Sequence, residues 1–257
     1  MKISIVVPWH NKKETLQSLQ GNRAVYERED VQLVFVNAGG VEGAYQEELK
    51  KMDLPNCKYV YYPVTHFNKS TALNVGVAHA DYDYLLFQDA DVILSDFMEA
   101  LQPVTDRFIT AQRVQETSPA MTMEGSYIRE IQNIKRFVTT DGQTIDVNTG
   151  TSFLWEGDRS GPGIIFMQKS DFLELNGMNA ALTDWGWEDC DLILRLLQKG
   201  LIREESGAVK HITHEVGQAQ NSGNNFRRSL SKYIVKDFKG TYQSDMTTEG
   251  IELITLS

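Results

Sequence analysis

Short apolar runs, each cut off by a proline, a glycine-containing turn or an acid, recur through the first ninety or so residues, with helical segments between them. That alternation constrains the fold more than any other feature. Ile3 to Val7 reads as a buried strand ended by Pro8. Leu33 to Val36 reads as a second, closed by Asn37-Ala38-Gly39-Gly40. Lys58 to Tyr62 is a third, stopped by Pro63, and Tyr84 to Phe87 a fourth, ending at Gln88-Asp89-Ala90-Asp91. Between them, Asn11 to Leu19 reads as a helix start with Leu16 and Leu19 on one face, and Thr71 to Ala80 carries small and apolar residues at helical spacing. Strands alternating with helices predict βαβ units, hence an α/β fold with a mainly parallel central sheet flanked by helices.

The later part is less regular. Tyr127, Ile128, Ile131 and Ile134 fit a short amphipathic helix, and a Thr-, Asp- and Gly-rich stretch follows. Ile164 to Met167 reads as a strand and Ser170 to Leu175 as a helix. Asp189 to Gln198 reads as another helix, with Leu192, Ile193 and Leu196 available for burial and Gly200 as its stop signal. Ala208 to Thr213 fits a last strand, Gly217 to Asn225 a mobile loop, and Arg227 to Phe238 a terminal helix. No repeat and no linker stands out. The expectation is a single domain over residues 1–257, with a nucleotide-binding half (1–118), an acceptor and catalytic half (119–216), and a flexible loop with C-terminal helix (217–257).

Composition narrows the function. A net charge of −10 argues against a nucleic-acid binder, whose affinity would come from clustered Lys and Arg. It leaves room for an anionic ligand held by amides, a few bases and a metal ion. With 41% apolar and 23% charged residues the chain is not globally disordered. No stretch approaches the roughly 20 apolar residues of a membrane span, and the N-terminus lacks the marks of a secretion signal. Cys57 and Cys190 do not make a disulfide framework. A cytoplasmic protein is expected.

Four constellations could carry chemistry. Asp89 and Asp91 follow an apolar strand, where ligands of parallel sheets bind, and two carboxylates there can hold a divalent cation. The bland reading is a solvated capping turn. Trp185-Gly186-Trp187-Glu188-Asp189 leads into a helix: indoles suit a sugar platform, and a neighbouring acid can take a proton from a hydroxyl. The competing reading makes Trp185 and Trp187 core residues and the acids partners of the helix dipole. His211 and His214 can meet one metal only if the strand ends between them, because residues three apart on a strand point to opposite faces; His214 is the favoured ligand. Pro8-Trp9-His10-Asn11-Lys12 could pack on a nucleobase or be a plain turn with Asn11 as cap.

Together these segments resemble the inverting GT-A-fold glycosyltransferases. The nearest likeness is to the beta-1,4-galactosyltransferase family, with the family 2 bacterial transferases next. It rests on five segments in order: Val6 to Glu14, Val36-Asn37-Ala38-Gly39, Phe67 to Gly76, Phe87 to Asp91, and Gly163 to Asp191 with its Leu175-Asn176-Gly177-Met178. The resemblance implies a GT-A fold, a UDP-sugar donor, and Mn²⁺ or Mg²⁺. Pro8, Trp9, His10 and Lys12 match the strand end that receives uridine, Asn37 belongs to the second donor-side segment, and Lys69 matches a donor-facing base. Asp91 matches the direct metal ligand of the acidic pair with Asp89. His214 matches the metal histidine, and His211 falls where a methionine ligand is found. Trp185, Glu188 and Asp189 match the sugar-binding group, with Asp189 at the catalytic-base position. Three departures stand out. Gly161-Pro162-Gly163 replaces a Gly-Gly pair and keeps only Gly163 for donor contact, Trp187 replaces a glycine beside the sugar pocket, and Cys190 replaces an acid and reads as an inert core thiol.

The resemblance implies an inverting, metal-dependent transfer of a hexose or N-acetylhexosamine from a UDP-sugar to a hydroxyl of a glycan or glycoconjugate, as in polysaccharide biosynthesis. Peripheral membrane contact would come through a lipid-linked acceptor. The rivals are a non-catalytic carbohydrate-binding protein and a sugar-1-phosphate nucleotidyltransferase, which would want a Gly-rich phosphate loop after the first strand. A dinucleotide-dependent oxidoreductase is disfavoured, since no G-x-G-x-x-G follows that strand.

Overall fold

The computed structural model describes residues 1–94, 96–118, 128–139, 141–183, 186–214, 251–254 and 256. Tyr127, Trp185, the expected 217–225 loop and the expected 227–238 helix lie outside the described residues.

The strands are β1 (Ile3–Trp9), β2 (Val31–Ala38), β3 (Cys57–Tyr62), β4 (Tyr84–Phe87), β5 (Val92–Ile93), β6 (Arg107–Glu116), β7 (Glu130–Val138), β8 (Thr144–Phe153), β9 (Asp158–Gln168), β10 (Ile202–His211) and β11 (Glu252–Ile254). The helices are α1 (Thr15–Gly21), α2 (Arg23–Tyr26), α3 (Gln46–Met52), α4 (Lys69–Ala78), α5 (Phe97–Ala100), α6 (Lys169–Glu174) and α7 (Glu188–Gln198). Strand order along the sheet is β11-β3-β2-β1-β4-β9-β6-β10-β5, with β7 and β8 as a hairpin attached through β9.

The first half is parallel, β3-β2-β1-β4, as the sequence predicts. The second half is not. Strand β9 runs antiparallel to both β4 and β6, and only β6 and β10 are parallel there. The sheet is therefore mixed, with apolar clusters on its two faces. The pleat divides β1 and β2 between them. Ile3, Ile5, Val7, Trp9, Leu33 and Phe35 face one cluster, and Val6, Val34, Val36 and Ala38 face the other.

Several local expectations are corrected. Strand β1 runs through Pro8, because β4 ends opposite Val6 and leaves Pro8 with β2 alone as a strand neighbour. A proline without an N–H is tolerated where one ladder is missing. Helix α1 starts at Thr15, with Glu14 in the N-cap position but making no side-chain cap bond, and Leu16 is exposed while Leu19 is buried. The helix expected around Ile128, Ile131 and Ile134 is instead the start of the β7–β8 hairpin, and all three isoleucines are exposed. Spacing by threes makes a stable helix only if another element covers that face, and β-branched residues favour a strand when none does. The expected last strand ends earlier, at His211, and β11 follows it in sequence. Helix α7 does stop before Gly200, whose φ is +97°, and does bury Leu192, Ile193 and Leu196.

Candidate active site

Two clusters of polar side chains form at the carboxyl end of the parallel strands, joined by the Asp89-Ala90-Asp91 turn after β4.

The first is built on Asp91. Its Oδ2 lies 3.2 Å from His211 Nε2 and 3.1 Å from His214 Nε2. One ligand atom from each of Asp91, His211 and His214 lies within 4.8 Å of the others. An octahedral cation with bonds of about 2.1 Å separates adjacent ligand atoms by about 3.0 Å, so these spacings fit a divalent metal. The backbone produces this geometry. Val92 of β5 pairs with His211 of β10, and Ile212 N donates to Asp91 O at 2.9 Å. Strand β10 ends at His211, so the backbone turns before His214 and both rings reach one point. Their centroids are 5.2 Å apart.

Burial alone would raise the Asp91 carboxyl. Hydrogen bonds from His211 and Lys12 outweigh that and hold it well below the ordinary carboxylate range. Contact with Asp91 raises His211 above a free imidazole. Glu116 Oε2 meets His211 Nδ1 at 2.8 Å, which orients the ring and directs Nε2 at Asp91. The sequence reading missed Glu116. Its place comes from the β6–β10 register, which pairs it with His211 across 95 residues.

The second cluster surrounds Gly163 of β9. A methyl group placed on Gly163 would lie 3.6 Å from Asp189 Oδ2, 3.7 Å from Lys69 Nζ and 3.8 Å from Asp89 Oδ2. Three polar ends thus ring one small patch of backbone. Lys69 Nζ is 2.6 Å from Asp89 Oδ1 and 3.3 Å from Glu188 Oε1. Asp89 therefore belongs to Lys69, and the three-residue metal-competent group does not contain it. Burial would lower Lys69, but Asp89 and Glu188 outweigh it and keep the ammonium charged. Burial raises the Glu188 carboxyl, with Lys69 opposing.

Local sequence sets these positions. Asn68 caps α4 by accepting from Thr71 N at 3.1 Å, and its Nδ2 donates to Ala180 O at 2.8 Å. Asn74 exchanges bonds with Met178 through N–H···Oδ1 at 2.8 Å and Nδ2–H···O at 3.3 Å. The Leu175-Asn176-Gly177-Met178 turn is thereby stitched to the helix that begins with Lys69. Behind Asp189, the fully buried Arg195 donates through Nε to Asp191 Oδ2 at 2.8 Å and through Nη1 to Gly177 O at 2.7 Å. Cys190 N donates to Asp189 Oδ1 at 2.7 Å. Cys190 is buried, and burial followed by Asp189 pushes its thiol up, which makes it inert.

Trp187 occupies a glycine-like conformation, with φ +76° and ψ −12°, directly after Gly186 at φ +82°. The backbone keeps the left-handed turn that a glycine would adopt freely, while the indole packs partly against the core.

The strand-end segment divides its labour. Trp9 is 3% exposed, packed tilted against Phe35 and edge-to-face against Tyr45, and its Nε1 donates to Lys12 O at 3.0 Å. It is a core residue, and a period-two count from Ile3 would have put it there. Pro8 is buried in β1. Asn37 is fully buried and spends its amide on Val41 O, Tyr59 Oη and Gly40 N, shaping the turn after β2. His10 is half-buried, bonded through Nδ1 to Ala38 O at 2.9 Å, with its ring stacked on Phe67 at 5.3 Å. Asn11 does not cap α1; its φ is +52° and it accepts from Val41 N at 3.0 Å. Among the described residues, no helix is long and apolar enough to cross a membrane.

Comparisons with known proteins bear on the family and the fold. The family model for glycosyl transferase family 2 matches residues 4–152. The model described as the N-terminal domain of galactosyltransferase matches residues 155–216. Chondroitin sulfate synthase 3 of Mus musculus is 26% identical over 231 residues, covering 84% of this chain and 24% of its own length. The chain thus spans about a quarter of the length of the curated relatives it matches. Among solved structures, GalNAc-T7 with UDP, GalNAc and Mn²⁺ superposes with a TM-score of 0.61 at 13% identity, over 90% of this chain and 48% of that one. The mannosyltransferase PcManGT from Pyrobaculum calidifontis, in complex with GDP-Man and Mn²⁺, gives 0.51 at 15% identity, over 92% and 63%. The fold is GT-A, and because the family model covers more than half of its length, the chain belongs to glycosyl transferase family 2.

Proposed function

We propose that this protein is an inverting glycosyltransferase. It moves a hexose or N-acetylhexosamine from a UDP-sugar to a hydroxyl of a glycan or glycoconjugate, with Asp189 as general base and Mn²⁺ held by Asp91, His211 and His214. The observation that carries the reading is the pairing of two clusters: three convergent metal-ligand atoms, and Asp189 facing Gly163 beside Lys69. The likeness to chondroitin sulfate synthase 3 favours a glycan as acceptor.

Asp189 takes the proton from the acceptor hydroxyl. The freed oxygen attacks the anomeric carbon from the face opposite the nucleotide. The bond from that carbon to the diphosphate oxygen breaks, and UDP leaves with the electron pair. A bound Mn²⁺ supplies Lewis-acid charge for the diphosphate. Glu188, biased by burial towards its protonated form, hydrogen-bonds sugar hydroxyls. Lys69, whose ammonium pairs with both Asp89 and Glu188, faces the donor. The His10 ring, backed by Phe67, offers an aromatic edge to the base, while Trp9 and Asn37 shape the floor beneath it. In this reading residues 1–118 bind the nucleotide and 119–216 the acceptor.

A panel of UDP-sugars, assayed for UDP release with and without Mn²⁺ and with candidate glycan acceptors, tests the activity. Asp189→Asn is expected to lower turnover by roughly 10²–10⁴-fold and leave UDP binding intact. An Asp189→Asn protein that keeps most of its turnover removes Asp189 from the mechanism, and a protein that releases no UDP under any condition removes the enzyme reading.

A further inference from the structure

Lys12 stands where neither its sequence context nor its assigned segment accounts for it. Its Nζ is 2.6 Å from Asp91 Oδ2 and 2.9 Å from His214 Nε2. The ammonium thus contacts two of the three atoms that could ligate a metal. A dication bound to the same two atoms would lie within about 4 Å of that ammonium, a like-charge approach that the site cannot hold. One cation must leave for the other to bind.

The backbone around Lys12 allows such an exchange. Its carbonyl is pinned, accepting from Trp9 Nε1 at 3.0 Å and from Tyr45 Oη at 3.3 Å. The preceding Asn11 is fixed in a left-handed turn and tied to Val41. The side chain, by contrast, is 34% exposed. A fixed base carrying a long, flexible cation is a swinging arm.

We propose that Lys12 is an exchangeable internal cation: it shares the Asp91–His214 seat with the divalent metal, is displaced when the metal binds, and then pairs with an anionic phosphate of the donor nucleotide. This rests on the metal site proposed above. The consequence is thermodynamic. The free ammonium competes with the metal, and the nucleotide captures the ammonium once displaced, so metal and nucleotide each favour the other's binding beyond any direct contact between them.

The test measures Mn²⁺ affinity by electron paramagnetic resonance and titration calorimetry, on the full chain, first without nucleotide and then with saturating UDP. The proteins are wild type, Lys12→Met, Lys12→Arg and His214→Ala, each checked for folding by circular dichroism. Lys12→Met should bind Mn²⁺ alone roughly 5- to 50-fold more tightly than wild type, and the factor by which UDP tightens Mn²⁺ should shrink by a similar amount. Lys12→Arg, which keeps the charge, should stay near wild type in Mn²⁺ affinity without nucleotide. Equal or weaker Mn²⁺ binding by folded Lys12→Met, in a wild type that does bind Mn²⁺ and loses it in His214→Ala, overturns the exchange and leaves the metal site standing. Absence of Mn²⁺ binding in wild type and Lys12→Met alike overturns the metal site, and the exchange with it.

Discussion

The buried pair of Arg195 and Asp191 allows a stability prediction worked from contacts. Both side chains are fully buried, and the pair is one helical turn apart on α7. Arg195 also donates to Gly177 O at 2.7 Å and Leu175 O at 3.3 Å, and Asn179 Nδ2 reaches Asp191 Oδ1 at 3.3 Å. Arg195→Met removes the guanidinium, keeps the approximate bulk, and leaves a buried carboxylate with one long hydrogen bond and two carbonyls short of a donor. Breaking such a pair from one side costs about 3–5 kcal/mol. For a chain of this length that corresponds to a fall in Tm of roughly 6–20 °C. Replacing both residues, as Arg195→Met with Asp191→Leu, removes the stranded charge and should recover most of the loss. Urea unfolding followed by tryptophan fluorescence, run as a double-mutant cycle with Asp191→Leu alone as the second single variant, reads all three values. A single-variant loss below about 1 kcal/mol, or a double variant no better than the single, refutes the claim that the stranded charge is what costs.

Glu188 carries the opposite sign. Burial raises its folded-state carboxyl above the ordinary glutamate value of 4.5, so the stability it contributes is present at low pH and is lost as pH rises through the folded value. Glu188→Gln should therefore unfold at a higher temperature than wild type at pH 7, with the gap closing as pH falls towards 4.5, while transfer activity drops; calorimetry across pH reads this, and a gap that widens on acidification contradicts it. Cys57, whose thiol is pushed up to about 12 by burial, should react with a disulfide reagent at pH 8 far more slowly in the native protein than in urea; equal rates would mean the thiol is not sequestered.

Local pattern carried the strands β1 to β4 and the helices α1 and α4, which are decided by short-range periodicity and punctuation, whereas the short helices α2 and α3 were not read. The mixed second half was not legible, since the antiparallel placement of β9 between β4 and β6 is a choice among distant partners. The β7–β8 hairpin was misread because isoleucines at spacing three satisfy a helix count equally well. At the site, Asp91, His211, His214 and Asp189 stood out as residue types near the ends of elements, and Lys69 only through the family resemblance. What was not legible was which carboxylate meets which cation. Asp89 and Asp91, one residue apart, part company, one to Lys69 at the start of α4 and the other to the histidines at and beyond the end of β10, because the turn aims them in different directions. Glu116 had no local signal, and the inclusion of His211 hung on where β10 ends.

The short pairing of β5 with β10 has a consequence for how the metal-competent group comes into being. Asp91 and His211 stand 120 residues apart, yet the main-chain bond from Ile212 N to Asp91 O and the antiparallel register that sets Val92 opposite His211 fix their separation as rigidly as neighbouring rungs of a ladder. Such a seat cannot be assembled piecemeal by a partly folded chain. Once the sheet is closed it is already in shape, so an arriving ion has little chain entropy to freeze out.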